Sequence, residues 1–78
     1  MSTIKDMVEY VVKALADNPE SVSVSETLGE SVVMIELSVA SDDMGRIIGR
    51  KGRTINAIRS LARILGAKAE KKVSVEIN

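Results

Sequence analysis

Apolar residues change their spacing along this chain, from every third or fourth position to every second and back, and each change marks an element. Ile4, Met7, Val8, Val11, Val12 and Leu15 share one helical face, with Lys5, Asp6, Glu9 and Lys13 opposite, which predicts an amphipathic helix over about residues 3–17. Ser2 or Thr3 is placed to cap it. Asn18-Pro19 stops it, because proline disfavours helical geometry in the residue before it. From Ser21 to Ser25 serine and valine alternate strictly, the pattern of a half-buried strand. Leu28-Gly29-Glu30 turns the chain, and Val33, Ile35, Leu37 and Val39 then alternate with Met34, Glu36 and Ser38. This predicts a second strand antiparallel to the first.

Ser41 or Asp42 can cap a short helix from about Asp43 to Ile48, which a pair of glycines interrupts. In the longer helix that follows, Ile55, Ile58, Leu61, Ala62 and Leu65 form the stripe expected to be buried. Arg53, Asn56, Arg59, Ser60 and Arg63 take the remaining surface, and Gly66 suits the C-terminal cap. Val73, Val75 and Ile77 alternate with Ser74 and Glu76 as a last strand. The order is therefore α-β-β-α-α-β, an α+β arrangement. A right-handed crossover through the helix pair makes the last strand parallel to its neighbour, giving a three-stranded mixed sheet. The second sheet face is mainly serine and glutamate, so all helices are expected on one face. No repeat, linker or low-complexity segment interrupts the pattern.

With 78 residues, residues 1–78 are expected to form a single domain with one small core. Composition removes several classes of chemistry. There is no cysteine, hence no disulfide, thiolate nucleophile or sulfur-ligated metal, and no histidine, the commonest general base and metal ligand. No cofactor is implied. Without an apolar leader or a long apolar span, a cytoplasmic location is the default expectation. Tyr10 is the one aromatic residue, which argues against the modules that stack bases on several Phe, Tyr or Trp side chains.

Charge changes the picture more than its total suggests. The net charge is 0, yet residues through Asp43 carry two basic and nine acidic side chains, a net −7, and those from Met44 onward carry nine basic and two acidic, a net +7. Such a division is the footprint of a surface that meets a polyanion on one side. Within the basic half stands Ile47-Ile48-Gly49-Arg50-Lys51-Gly52-Arg53-Thr54-Ile55. Glycines let the main chain turn tightly and approach a ligand, and a helix starting at Gly52 points unpaired N–H groups at any anion there. Arg50, Lys51 and Arg53 add positive charge, so a phosphate backbone is the ligand these residues suggest.

Plainer readings compete at each position. Gly49 and Gly52 alone would serve a tight turn between helices, a role that leaves the basic pair at its tip without a purpose. A Walker loop needs Gly-Lys-Ser/Thr, whereas Gly52 is followed by Arg53; a dinucleotide fingerprint needs a glycine where Ile47 stands. Asp42-Asp43 resembles an acid-base or Mg²⁺ pair, but adjacent acids at a helix start are far more often capping residues. Arg59 and Arg63 suit a solvated helix face as well as a contact to the nucleic-acid backbone. Val32 and Met34 on the open sheet face read as surface scatter or as a protein interface.

The run from Ile47 to Ile58 resembles the signature of the KH domain, in which a GXXG loop joins two helices and clamps about four nucleotides of single-stranded nucleic acid. The element order is similar to the type II, prokaryotic form of that fold, and the resemblance extends over about residues 2–78, to the small bacterial single-KH proteins of the KhpA (YlqC) family. It implies that Gly49 and Gly52 bring the backbone to the RNA, that Arg50 and Lys51 face phosphates, and that Ile48 and Ile55 floor the groove on which bases lie. Ile47 and Ile58 would pack in the core. Arg46, Arg53 and Arg59 lie outside the strict motif in a supporting electrostatic role. The family further implies a Jag (KhpB)-type KH protein as partner and work as an RNA chaperone or post-transcriptional regulator; one domain covering about four nucleotides buries little surface, so it is expected to gain by multivalency through a homodimer or such a partner.

The expectation is thus non-catalytic binding of single-stranded RNA with low sequence specificity. The alternative is a protein-interaction module that dimerises or docks on a larger KH-containing protein. Catalysis comes last, since without His and Cys no nucleophile–base pair stands out.

Overall fold

The computed structural model describes residues 3–78, so the proposed cap Ser2 lies outside the described residues. Helix α1 covers Thr3–Leu15 and buries Ile4, Val8 and Val12, the centre of the predicted stripe. It ends two residues earlier than the periodicity suggested, and Leu15 is 40% exposed. The reason lies far along the chain. The N–H groups of Asp17 and Asn18, which a longer helix would turn inward, donate instead to the Asp43 carboxylate.

Pro19 then starts a single 3-10 turn, Pro19–Ser21, closed by the Val22 N–H on the Pro19 carbonyl at 3.1 Å. That turn takes Ser21 and Val22 out of the predicted strand. Strand β1 therefore covers Ser23–Leu28, and it continues past Ser25 because Glu26, Thr27 and Leu28 pair with Ile35, Met34 and Val33 of β2, Val32–Ser38. Glu26 sits on the register of the helix-facing residues Val24 and Leu28, where an apolar residue was expected, so alternation alone ended the strand too soon. The Gly29 N–H bonds the Val32 carbonyl at 2.8 Å to close the hairpin.

After β2, a second 3-10 turn at Ser41–Asp43 leads into α2, Met44–Ile48. The longer α3, Arg53–Lys68, then returns the chain to β3, Lys72–Ile77. The sheet order is β1-β2-β3, with β1 antiparallel and β3 parallel to the central β2, as the crossover argument requires. Val33, Ile35 and Leu37 of β2 and Val75 of β3 are buried against the helices, together with Ile47, Ile55, Ile58 and Ala62. The alternate positions Val32, Met34, Glu36 and Ser38 are exposed, so the helices cover one face only.

Two details of α3 depart from the helical pattern. Leu61, expected in the buried stripe, is 47% exposed because Ile58, Ala62 and Leu65 already define the face that meets the sheet. Gly66 is not the C-terminal cap but a buried residue of the last turn. A Cβ there would run into the Val73 side chain and come within 2.8 Å of the Lys71 carbonyl oxygen. The helix is closed by Glu70, at φ 58°, with the Lys71 N–H on the Gly66 carbonyl and the Glu70 N–H on that of Ala67, the paired bonds of a Schellman ending.

Candidate nucleic-acid interface

Between α2 and α3 the chain has four residues in which to reverse, and three of them take positive φ: Gly49 at 80°, Lys51 at 57° and Gly52 at 75°. The Gly49 N–H closes α2 on the Gly45 carbonyl at 2.8 Å, while its own carbonyl accepts the Gly52 N–H at 3.1 Å. Gly49 is required twice over. Its φ 80°, ψ 170° is a region that side chains avoid, and a Cβ would come within 2.8 Å of both Cβ and N of Thr54. Gly52 is required only by its left-handed backbone, since a Cβ there would make only ordinary van der Waals contact, with the Asn56 and Ile55 side chains at 3.6 and 4.0 Å. The left-handed, non-glycine Lys51 is a strained position of the kind that collects at ligand sites.

Arg50, Lys51 and Arg53 are exposed, and among the described residues their side chains have no ion-pair or hydrogen-bond partner. They stand where α3 begins, at first-turn N–H groups that lack intrahelical acceptors. Ile48 is half-buried and gives the loop an apolar flank. Ile55, at 4% exposure, is mostly core and offers a ligand little surface; Ile47 and Ile58 are core as expected.

The two outlying arginines are committed to the scaffold. The Arg46 guanidinium donates to Asp17 at 2.9 Å and lies 3.8 Å from Asp43. Arg59 donates through Nε to the Val75 carbonyl at 3.1 Å and through Nη1 to Asn56 at 3.3 Å. The Arg59 contact shows where the groove runs. The β3 N–H groups of Lys72 and Asn78 bond Ser31 and Leu37, so in this parallel ladder the backbone groups of Val73, Val75 and Ile77 face away from β2, on the open edge beside α3. A seam between α3 and this edge thus leads away from the glycine loop, a feature that no local sequence pattern announced.

Asp43 does not belong to a catalytic pair. Its side chain is fully buried and accepts the Asp17 N–H at 3.0 Å, the Asn18 N–H at 2.9 Å and the Asn18 amide at 3.3 Å. The Asp17 N–H, foremost, holds its pKa below the ordinary aspartate value; burial opposes this, and Asn18 and Arg46 add to the lowering. The carboxylate ties the end of α1 to the start of α2 and so fixes the helix that delivers the loop. Its partners lie 25 and 26 residues away, which is why spacing could not reveal them. Among the described residues no group of three or more carboxylate, His or Cys side chains is placed to hold a metal, and no helix is long and apolar enough to cross a membrane.

Comparison with known proteins gives this geometry a context. The profile of the KhpA/KhpB KH domain matches residues 5–77. The RNA-binding protein KhpA of Clostridium perfringens is 46% identical over 74 residues, 95% of this chain and 99% of that protein. The RNA-binding protein KhpA of Aquifex aeolicus is 43% identical over 77 residues, 99% of this chain and 98% of the relative. Among solved structures, Era in complex with MgGDPNP and nucleotides 1506–1542 of 16S ribosomal RNA superposes with a TM-score of 0.69 at 22% identity, over 95% of this chain and 28% of that one. Aquifex aeolicus Era bound to GDP and aluminium fluoride gives 0.68 at 22% identity, over 95% of this chain and 29% of that one. The two Era chains share the fold of this one over less than a third of their length.

Proposed function

The chain belongs to the KhpA/KhpB KH-domain family, a non-catalytic RNA-binding family, and we propose that it clamps single-stranded RNA by its phosphate backbone with low sequence specificity. Residues 1–78 act as one KH unit in the cytoplasm. The observation that carries this reading is the loop itself: three positive-φ residues in four, with unpartnered Arg50, Lys51 and Arg53 at the start of α3. Gly49 and Gly52 bring the main chain and the α3 N-terminus up to consecutive phosphates, and the cations neutralise them. Bases then lie over Ile48 toward the β3 edge, whose outward N–H and C=O groups at Val73, Val75 and Ile77 offer donors and acceptors without a strict code. Arg46 and Arg59 contribute field and position more than direct contact.

Titration with short single-stranded RNA over a range of salt tests the clamp. Binding is expected to weaken with a log–log slope of about −0.7 per phosphate neutralised, and duplex RNA to compete poorly because its bases are paired and stacked. Equal affinity for duplex and single strand, or an absence of salt dependence, contradicts it.

A second reading, the protein-interaction module, is favoured by one surface. On the helical layer Tyr10, Leu61 and Ile64 are 76%, 47% and 66% exposed, and Leu61 and Ile64 share a face of α3. Exposed apolar side chains of this kind suit a second copy of the chain or a Jag (KhpB)-type KH protein. The two readings combine, since a unit covering about four nucleotides gains affinity when a second one is linked to it, as work as an RNA chaperone or post-transcriptional regulator would require.

A further inference from the structure

The basic half of the chain is not one uniform patch. Arg46 is spent on Asp17, Arg59 on Val75, and Lys71 on the carbonyls of Gly29 and Glu30 at 3.3 and 3.4 Å. The side chains left without partners among the described residues include the loop set Arg50, Lys51 and Arg53 and, at the far end of α3, Arg63 and Lys72. Arg63, Lys71, Lys72 and Val73 line an open cleft of about 350 Å³ where α3 approaches the start of β3. The Val73 N–H, on the open edge of the ladder, is turned away from β2 on the side of α3. Glu70 lies between Arg63 and Lys71 in the chain and leaves the balance with Arg63, Lys71 and Lys72 positive.

Arg53 and Arg63 are ten residues apart on one helix, about 15 Å at 1.5 Å per residue. Arg59 lies between them, anchored to the same strand edge. We propose that the Arg63–Lys72 cleft is a second phosphate subsite, which takes the backbone of the same RNA strand after it has passed the glycine loop and crossed the α3–β3 seam. This inference rests on the RNA clamp proposed above and extends it: the strand is held at both ends of α3, so the footprint exceeds the loop's own four nucleotides.

Oligouridine of four and of ten residues distinguishes the two ideas. The variant R63Q/K72Q removes two exposed, unpartnered charges, and circular dichroism verifies that it remains folded. It is expected to bind the tetramer as the parent does, and the decamer about tenfold more weakly at 0.15 M salt, with the decamer's salt slope shallower by about 1.4 units for two phosphates released. An unchanged decamer affinity overturns the second subsite while leaving the loop clamp standing. An equal loss for tetramer and decamer also overturns it, because it assigns the two residues to the general field. If the parent binds neither oligomer, the RNA clamp fails and the subsite with it.

Discussion

Replacing Gly49 by alanine challenges the loop at its tightest point, and the structure gives the size of the effect. The residue sits at φ 80°, ψ 170°, where a side chain costs about 1–3 kcal/mol. The new Cβ would also lie within 2.8 Å of Cβ and N of Thr54, neither of which a rotamer change can move. Relief requires the start of α3 to shift against α2. A total near 3 kcal/mol is expected, and for a domain of this size each kcal/mol lowers the melting temperature by about 4–8 °C, so G49A should melt about 12–24 °C below the parent. Gly52→Ala is the internal control. Its left-handed backbone costs about 1–2 kcal/mol, but its Cβ meets nothing closer than ordinary van der Waals contact, so its midpoint should stay well above that of G49A. Both are read by thermal unfolding followed at 222 nm, with RNA titrated below the transition. If G49A melts no lower than G52A, the packing of Thr54 against Gly49 is not what fixes the loop.

Two further substitutions test the scaffold behind the loop. The pKa of Asp43 is lowered in the folded state, so the carboxylate adds stability that is fully present above the ordinary aspartate pKa of about 3.9 and is lost as pH falls through the lower folded value. Asp43→Asn should therefore melt below the parent at pH 7, with the gap narrowing as melts are taken from pH 5 down to the acid limb; a gap of constant size contradicts the assigned partners. Glu70 occupies a left-handed position at the end of α3, so Glu70→Gly should stabilise the protein by about 0.5–1 kcal/mol in urea denaturation, and a loss of stability there would count against the Schellman ending.

Much of this was readable from spacing because the elements involved are long and periodic. The faces of α1 and α3, the alternation of β2 and β3, and the parallel last strand all follow from patterns of 3.6 or 2 and a handedness rule. Local pattern failed where a distant residue decides. The end of α1 depends on Asp43; the start of β1 was lost for a nearer reason, the turn that Pro19 nucleates. The identity of Gly66 depends on Val73 across the α3–β3 junction. In the same way, net charge marked the basic half but could not separate Arg46 and Arg59, committed to Asp17 and Val75, from Arg50, Lys51, Arg53, Arg63 and Lys72, which remain available. The loop was legible because its special backbone is written in glycine, whereas the seam beside β3 is made of backbone groups that no side-chain pattern records.

The central claim is that Gly49-Arg50-Lys51-Gly52 holds RNA phosphates, and the double variant R50D/K51D tests it most directly. Both side chains are exposed and unpartnered among the described residues, and aspartate tolerates the left-handed backbone at position 51. Stability should change by no more than about 0.5 kcal/mol per site, while the charge at the loop tip moves from +2 to −2. Thermal unfolding, binding of single-stranded RNA and association with a second KH chain are measured on one preparation. The clamp predicts a folded protein that keeps its protein partner and has lost measurable RNA binding. A folded variant that binds single-stranded RNA as tightly as the parent contradicts it.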